Sequence, residues 1–297
     1  MCNRLEKIMR RIVHFVLFKL VDAWRSHLVP PGSYKVVEVL DYKLKVNLQD
    51  RGLSRDILFD GIREPQATAI VQRLVKDGMR ALDIGANIGY YTIMFSKLVG
   101  KKGEVCAVEP IAKNFALLSE NIRLNSAQNV RSYQLALSEK SGKSTLFVSK
   151  QSNLSSMNKN QYTRAGSVEV QCKSLDDFIE GFCTGNVDFI KMDVEGHEYE
   201  ILMSSKKIQQ AKNLSMFVEI HPALIGRIKT NELLKHLKKS GFRLFIAFRD
   251  YDGLQEALGD RIYRPVDGFF SIDELLVSEE FISGKIPDME CFFVKTA

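Results

Sequence analysis

Ala81-Leu-Asp-Ile-Gly-Ala-Asn-Ile-Gly-Tyr-Tyr-Thr92 decides how the rest of the chain is read. A short apolar strand carries Asp83 into a turn bounded by Gly85 and Gly89, and an apolar segment then starts a helix. Glycines at such a turn let the backbone fold tightly and approach a ligand where a side chain would block it. The helix that follows aims its free N–H groups at whatever occupies the turn. The spacing is not that of the dinucleotide fingerprint, because Asn87 and Tyr90 stand where that pattern wants glycine. Asp83, two residues ahead of the first glycine, suits a cationic amino group better than a pyrophosphate.

Moving outward, Glu104-Val-Cys-Ala-Val-Glu-Pro110 reads as a second buried strand ending in Glu109. An acid about 20 residues past a glycine turn, at a strand's carboxyl end, is placed to accept ribose hydroxyls. A third apolar run, Arg131 to Ser138, ends in small residues that can border an adenine ring. Glycine turn, ribose acid and adenine wall follow one another in the order a nucleoside site needs.

A second dense region is Ile190-Lys-Met-Asp-Val-Glu-Gly-His-Glu198. Asp193 ends an apolar strand and Gly196 opens the turn into a helix. Ligands of open α/β sheets lie beyond the carboxyl ends of the strands, which makes Asp193, Glu195 and His197 candidates. The next strand, Met216-Phe-Val-Glu-Ile-His-Pro222, ends with Glu219 and His221 on one face. If these strands are neighbours, Asp193, His197, Glu219 and His221 share one rim. Three uses are open to them: a general base, for which a histidine near its reference pKa is suited; a divalent cation held by Asp193, Glu219 and His221; or simple capping of helix and loop backbone.

The motifs DIGANIGYYT, AVEP, KMDVEGHE and VEIHP, in this order and spacing, resemble the FkbM family of S-adenosylmethionine-dependent methyltransferases. The similarity covers residues 79–221, with looser agreement upstream and over the last two strands. It implies an α/β, Rossmann-like class I methyltransferase fold, a seven-stranded mostly parallel sheet with an antiparallel last strand. It also implies O-methylation of a hydroxyl on a sugar, glycolipid or secondary metabolite, with S-adenosyl-L-methionine as cofactor. Carried over by position, Asp83, Gly85, Asn87 and Gly89 hold the methionine part, Glu109 takes the ribose, and Ala136 and Leu137 lie beside the adenine. Asp193 lies near the sulfonium. His221 or His197 is expected as the base, with Asp193 and Glu219 orienting it or a metal; the metal is the less favoured option. Two other classes compete: a nicotinamide oxidoreductase, against which the glycine spacing counts, and a non-catalytic nucleoside-binding scaffold at a membrane.

Alternating strands and helices from Met79 onward predict a parallel sheet covered on both faces. The last apolar run, 291–296, has no helix directly before it and is expected to insert antiparallel. Residues 33–78 form a β extension, in which 34–40 and 42–48 pair as antiparallel strands, and a lead-in helix that opens on Pro65. The expected division is 1–30, 33–78 and 79–297. The 151–166 loop and the 249–290 segment are long polar insertions that read either as lids or substrate walls or as passive surface loops.

The composition, 45% apolar and 26% charged, is that of a globular protein. Its net charge of +6 is uneven: residues 1–28 carry six basic and two acidic side chains. The remainder is close to neutral, which argues against a nucleic-acid partner. In residues 1–28 apolar positions recur at helical spacing opposite Arg4, Lys7 and Arg11. That pattern fits packing on the domain or on a second copy, or lying in a membrane interface; it is too short in its apolar run to span a bilayer. Five scattered cysteines without zinc spacing read as reduced thiols of a cytoplasmic protein. The expected acceptor is a small molecule, a glycan or a lipid-linked group.

Overall fold

The computed structural model describes residues 29–30, 32–183, 185–249, 272 and 288–296. The amphipathic stretch 1–28 and most of the 249–290 insertion lie outside the described residues. Among those described, no helix is long and apolar enough to cross a membrane.

The chain opens with β1 (Tyr34–Val39) and β2 (Tyr42–Asn47), followed by α1 (Leu53–Asp60) and α2 (Pro65–Leu74). Then come β3 (Arg80–Ile84), α3 (Tyr90–Val99), β4 (Glu104–Val108), α4 (Ala112–Leu124), β5 (Val130–Tyr133) and β6 (Ala136–Ser138). The excursion is β7 (Gly142–Val148) and β8 (Gly166–Ser174), leading into α5 (Leu175–Phe182), β9 (Phe189–Met192), α6 (Glu198–Ser204) and α7 (Lys206–Gln210). The chain continues through β10 (Leu214–Ile220), α8 (Pro222–Ile225), α9 (Arg227–Lys239), β11 (Arg243–Arg249) and β12 (Met289–Lys295).

Seven strands form the main sheet in the order β11-β12-β10-β9-β3-β4-β5. The β5-β4-β3-β9-β10 run is parallel, and β12 enters antiparallel between β10 and β11. This is the class I methyltransferase arrangement. Phe217 and Phe292 are paired across β10 and β12 with their rings stacked at 4.5 Å, which pins the register of the reversed strand.

The period of two in the strands divides the core into two faces. Leu82, Ile84, Ile190, Met192 and Val218 pack under α5, α6 and α9, while Ala81, Phe189 and Phe217 face α3 and the N-terminal extension. Val39, Leu44, Val46, Ile57 and Val71 belong to that second cluster. Residues 33–78 therefore share the core of the residues that follow them.

Two elements differ from expectation. The apolar run 131–138 is two strands: β5 stays in the main sheet, and β6 leaves it to pair parallel with β8 in a three-stranded sheet, β6-β8-β7. The break is a tight turn in which Leu135 N donates to the Tyr133 carbonyl. The segment 53–60, for which no helix was expected, is α1, started by Asp50, which accepts from Gly52 N and Ser54 N.

Candidate functional site

The ends of three parallel strands are sewn together where the glycine turn begins. Gly85 N and Ala86 N donate to the Val108 carbonyl, and Asp193 N donates to the Ile84 carbonyl. Gly85 adopts φ 77°, and a Cβ there would run into the Asp193 carbonyl oxygen. Only glycine lets β3 and β9 approach this closely. Asn87 follows at φ 52°, a left-handed conformation that asparagine tolerates better than most residues.

Above this seam lies a cleft of about 610 Å³, counting its open mouth. Gly85, Asn87, Glu109, Ala136, Leu137 and Asp193 all border it. Ser152, Asn153 and Met157 of the 151–166 loop close its side. The loop is tied in place. Asn87 Nδ2 and Asn114 Nδ2 donate to the Ser152 carbonyl at 3.1 and 2.9 Å, while Ser152 N and Oγ donate to the Asp50 carboxylate at 3.1 and 2.6 Å. Sequence reasoning missed Asn114, Ser152 and Asp50, because a single polar residue in a polar loop carries no periodic signal.

Glu109 sits at the floor, 5% exposed, accepting from Asn87 N and Ile111 N at 2.9 Å each. Burial outweighs those donors and pushes its carboxyl up to about 7. Oε2 keeps a further lone pair for a ligand hydroxyl, and Oε1 has only a long 3.5 Å contact from Asn114 Nδ2 for a second hydroxyl to displace.

Asp83 and Gly89 lie below the cleft rather than on its wall. Asp83 is buried; its Oδ2 accepts from Thr92 Oγ1 at 2.6 Å, and it stands opposite Lys191 in the β3–β9 register. Burial raises its pKa, with the Lys191 charge opposing. A Cβ on Gly89 would press on Leu118, so that glycine sets the seat of α3 on α4.

On the other side of Asp193 the sheet carries a buried charge cluster. Lys191, 4% exposed, places Nζ 3.4 Å from Asp193 Oδ2 and 5.4 Å from the centre of the Tyr91 ring. Arg63, from the turn before α2, reaches the same oxygen at 3.9 Å and also pairs with Glu64. Burial acts to neutralise Asp193, but Lys191, His221 and Arg63 outweigh it and hold the carboxyl below its usual range. The lead-in segment thus completes the site, a role that no motif in residues 53–78 announces. Lys191 did leave a signal: a lysine inside an otherwise apolar strand needs a buried partner.

The two histidines have different surroundings. His221, 3% exposed, is ringed by carboxylates: Nδ1 lies 2.9 Å from Glu198 Oε1, and Nε2 lies 3.5 Å from Glu195 and 3.6 Å from Glu219. Burial disfavours its charged form, yet Glu198 and Glu195 outweigh burial and drive its pKa well up. Burial and the adjacent Asp193 push Glu219 up to about 8. His197 borders the cleft, with Nε2 2.9 Å from Ser138 Oγ. Burial lowers its pKa against the opposing pull of Glu200 and Glu139, which favours the neutral ring. One imidazole is surrounded by anions behind the rim; the other faces the cleft in its basic form.

Comparison with known proteins agrees with this geometry. The sequence profile of the methyltransferase FkbM domain matches residues 83–244, from the buried acid of the glycine turn to β11. The hexuronic acid methyltransferase AglP of Haloferax volcanii is 30% identical over 158 residues, which is 53% of this chain and 62% of that protein. The match therefore spans less than two thirds of this relative's length. Among solved structures, the methyltransferase FkbM from Methylobacillus flagellatus is 15% identical with a TM-score of 0.41, covering 73% of this chain and 43% of that one. A SAM-dependent O-methyltransferase from Thermotoga maritima is 18% identical with a TM-score of 0.42, covering 82% and 71%. Those superpositions are loose, and the fold assignment rests on the strand order itself. With more than half of its length matched, and every motif of that match gathered at the carboxyl ends of β3, β4, β9 and β10, the chain belongs to the FkbM family of methyltransferases.

Proposed function

We propose that this protein transfers the methyl group of S-adenosylmethionine to a hydroxyl of a sugar, free or within a glycan or lipid-linked carrier. The observation that carries the reading is Glu109, a buried carboxyl at the end of β4 whose two oxygens are steadied by the glycine turn and by Ile111 N. There it accepts the two ribose hydroxyls. Ala136 and Leu137, with Leu146 and Met157 beside them, give the adenine an apolar slot. Gly85 and Asn87 border the methionine part, and Asp193 lies at the reacting end.

In the reaction, an acceptor oxygen attacks the methyl carbon in line with the carbon–sulfur bond. That bond breaks, its electron pair stays on sulfur, and S-adenosylhomocysteine is released. The sulfonium is already an excellent leaving group, so alignment supplies much of the acceleration. The hydroxyl proton passes to His197, whose neutral ring borders the cleft. His221, packed among carboxylates, acts behind the rim. A relative named for hexuronic acid methylation supports the sugar class of acceptor. The basic, amphipathic pattern of residues 1–28 suits an acceptor presented at a membrane.

The test is transfer of a labelled methyl group to fractionated glycans, glycolipids and free uronic acids. Label in a sugar hydroxyl ether supports the reading. Label only in protein, nucleic acid or sugar-free metabolites rejects it.

A further inference from the structure

At the back of the cleft, the ends of β9 and β10 hold a group of side chains of which only Asp193 has a place at the reacting end in the methyl-transfer reading; Glu219 and His221 have no step in it. Asp193, Glu219 and His221 each offer a ligand atom, and these atoms lie within 4.8 Å of one another. We propose that Asp193, Glu219 and His221 bind a hard divalent cation of the Mg²⁺ or Mn²⁺ class, which polarises the acceptor hydroxyl at the methyl-transfer site.

Two observations beyond the cluster itself point to a cation. Asp193 Oδ1 and Glu219 Oε2 are buried and no N–H or hydroxyl donor among the described residues faces them, so either a proton shared by the two carboxyls or a cation must satisfy them, and the Mn²⁺ titration below decides between the two. Glu219 as a whole is 6% exposed. On Asp193 the division is clean, since Lys191 and Arg63 both approach Oδ2 and leave Oδ1 to another positive charge. Buried acceptor oxygens left bare are destabilising, and an ion between them removes that penalty.

The second observation is the orientation of His221. Glu198 is fully buried, and its Oε1 accepts from Gly196 N at 3.0 Å while lying 2.9 Å from His221 Nδ1. A carboxylate fixed by backbone and set against one imidazole nitrogen is the usual outer partner of a metal-bound histidine. It holds the proton on Nδ1 and turns Nε2, the ligand nitrogen, toward Glu219. Two carboxylates and one imidazole form a set suited to Mn²⁺ or Mg²⁺ rather than to thiolate-seeking metals. Cis ligands of such an ion at its usual bond lengths stand about 3 Å apart, so the three side chains draw together as it enters. Asp193 belongs both to this group and to the cleft wall, which puts the ion beside the acceptor.

The proposal rests on the methyl-transfer reading only for the role of the ion, not for its binding. The experiment is a Mn²⁺ titration of the full chain followed by electron paramagnetic resonance, with S-adenosylhomocysteine affinity measured separately by calorimetry. One Mn²⁺ per chain is expected, with an imidazole nitrogen coupling in the pulsed spectrum of the wild-type protein. Glu219→Gln should weaken binding tenfold or more, and Glu198→Gln by about 10–100-fold through the outer partner. Absence of Mn²⁺ binding at millimolar concentration, or bound Mn²⁺ without the nitrogen coupling, overturns the site. Either result with S-adenosylhomocysteine still binding leaves the cofactor reading intact; Mn²⁺ binding without nucleoside binding does the reverse.

Discussion

The carbonyl oxygen of Asp193 occupies the space that a Cβ on Gly85 would need, so the turn that faces the cofactor packs directly on the backbone of the acid at the reacting end. The contact explains why the first glycine of the turn is needed even though its neighbour Asn87 manages a positive φ. The Gly85→Ala variant should lose on the order of 2–4 kcal/mol of stability and bind S-adenosylhomocysteine weakly. Gly181, on the exposed side of α5 with open space around it, is the control. Gly181→Ala should be neutral or stabilise by about 0.5–1 kcal/mol. Thermal unfolding of both variants measures the contrast, and equal effects would remove the packing argument.

Glu109 makes stability depend on pH in a specified direction. Its folded pKa of about 7 lies above the ordinary 4.5. Below 4.5 both folded and unfolded chains hold the proton, and this group has no pH effect. From there to about 7 the unfolded chain loses it while the folded one keeps it, so stability from this residue falls as pH rises through that window. The Glu109→Gln variant should lack this decline in urea unfolding at pH 5 and pH 8. The same variant should bind S-adenosylhomocysteine at least tenfold more weakly at pH 8, because the amide accepts fewer hydroxyls. A decline of the same size in the variant would place the titration elsewhere.

His197→Asn should lower kcat by about 10²–10⁴-fold if the ring takes the acceptor proton, while nucleoside affinity changes little. A rise in KM alone, with kcat preserved, would make His197 a binding group instead.

The wall of the cleft hangs on Asp50, which accepts from Gly52 N, Ser54 N, Ser152 N and Ser152 Oγ. Asp50→Ala should free the 151–166 loop and raise the cofactor Kd by about tenfold, from loss of one to two net hydrogen bonds' worth of positioning. Increased amide hydrogen exchange at 150–156 is the accompanying sign. Unchanged exchange there would show that Asn87 and Asn114 hold the loop without it.

Much of the site was legible because its acids end apolar strands. Asp193, Glu109 and Glu219 each follow such a run, and the parallel alternation fixed their common edge. The reversed β12 was legible because no helical period in the sequence directly precedes the apolar run 291–296. The split at 133–136 was not, since β5 and β6 are both apolar and only their partners, β4 and β8, distinguish them. Nor was the separation of the histidines. His197 and His221 sit in similar strand-end motifs, and their protonation is decided by Glu195, Glu198 and Glu200, whose distances no spacing reveals. Arg63 lay hidden for the same reason, as its partner Asp193 is far along the chain.

Calorimetric titration of the full chain with S-adenosylhomocysteine tests the central claim most directly. The structure predicts one nucleoside bound per chain, binding weakened at least tenfold in Glu109→Gln, and no heat from NAD at the same concentration. Absence of S-adenosylhomocysteine binding, or binding that ignores the loss of the Glu109 carboxylate, would contradict the assignment of this cleft.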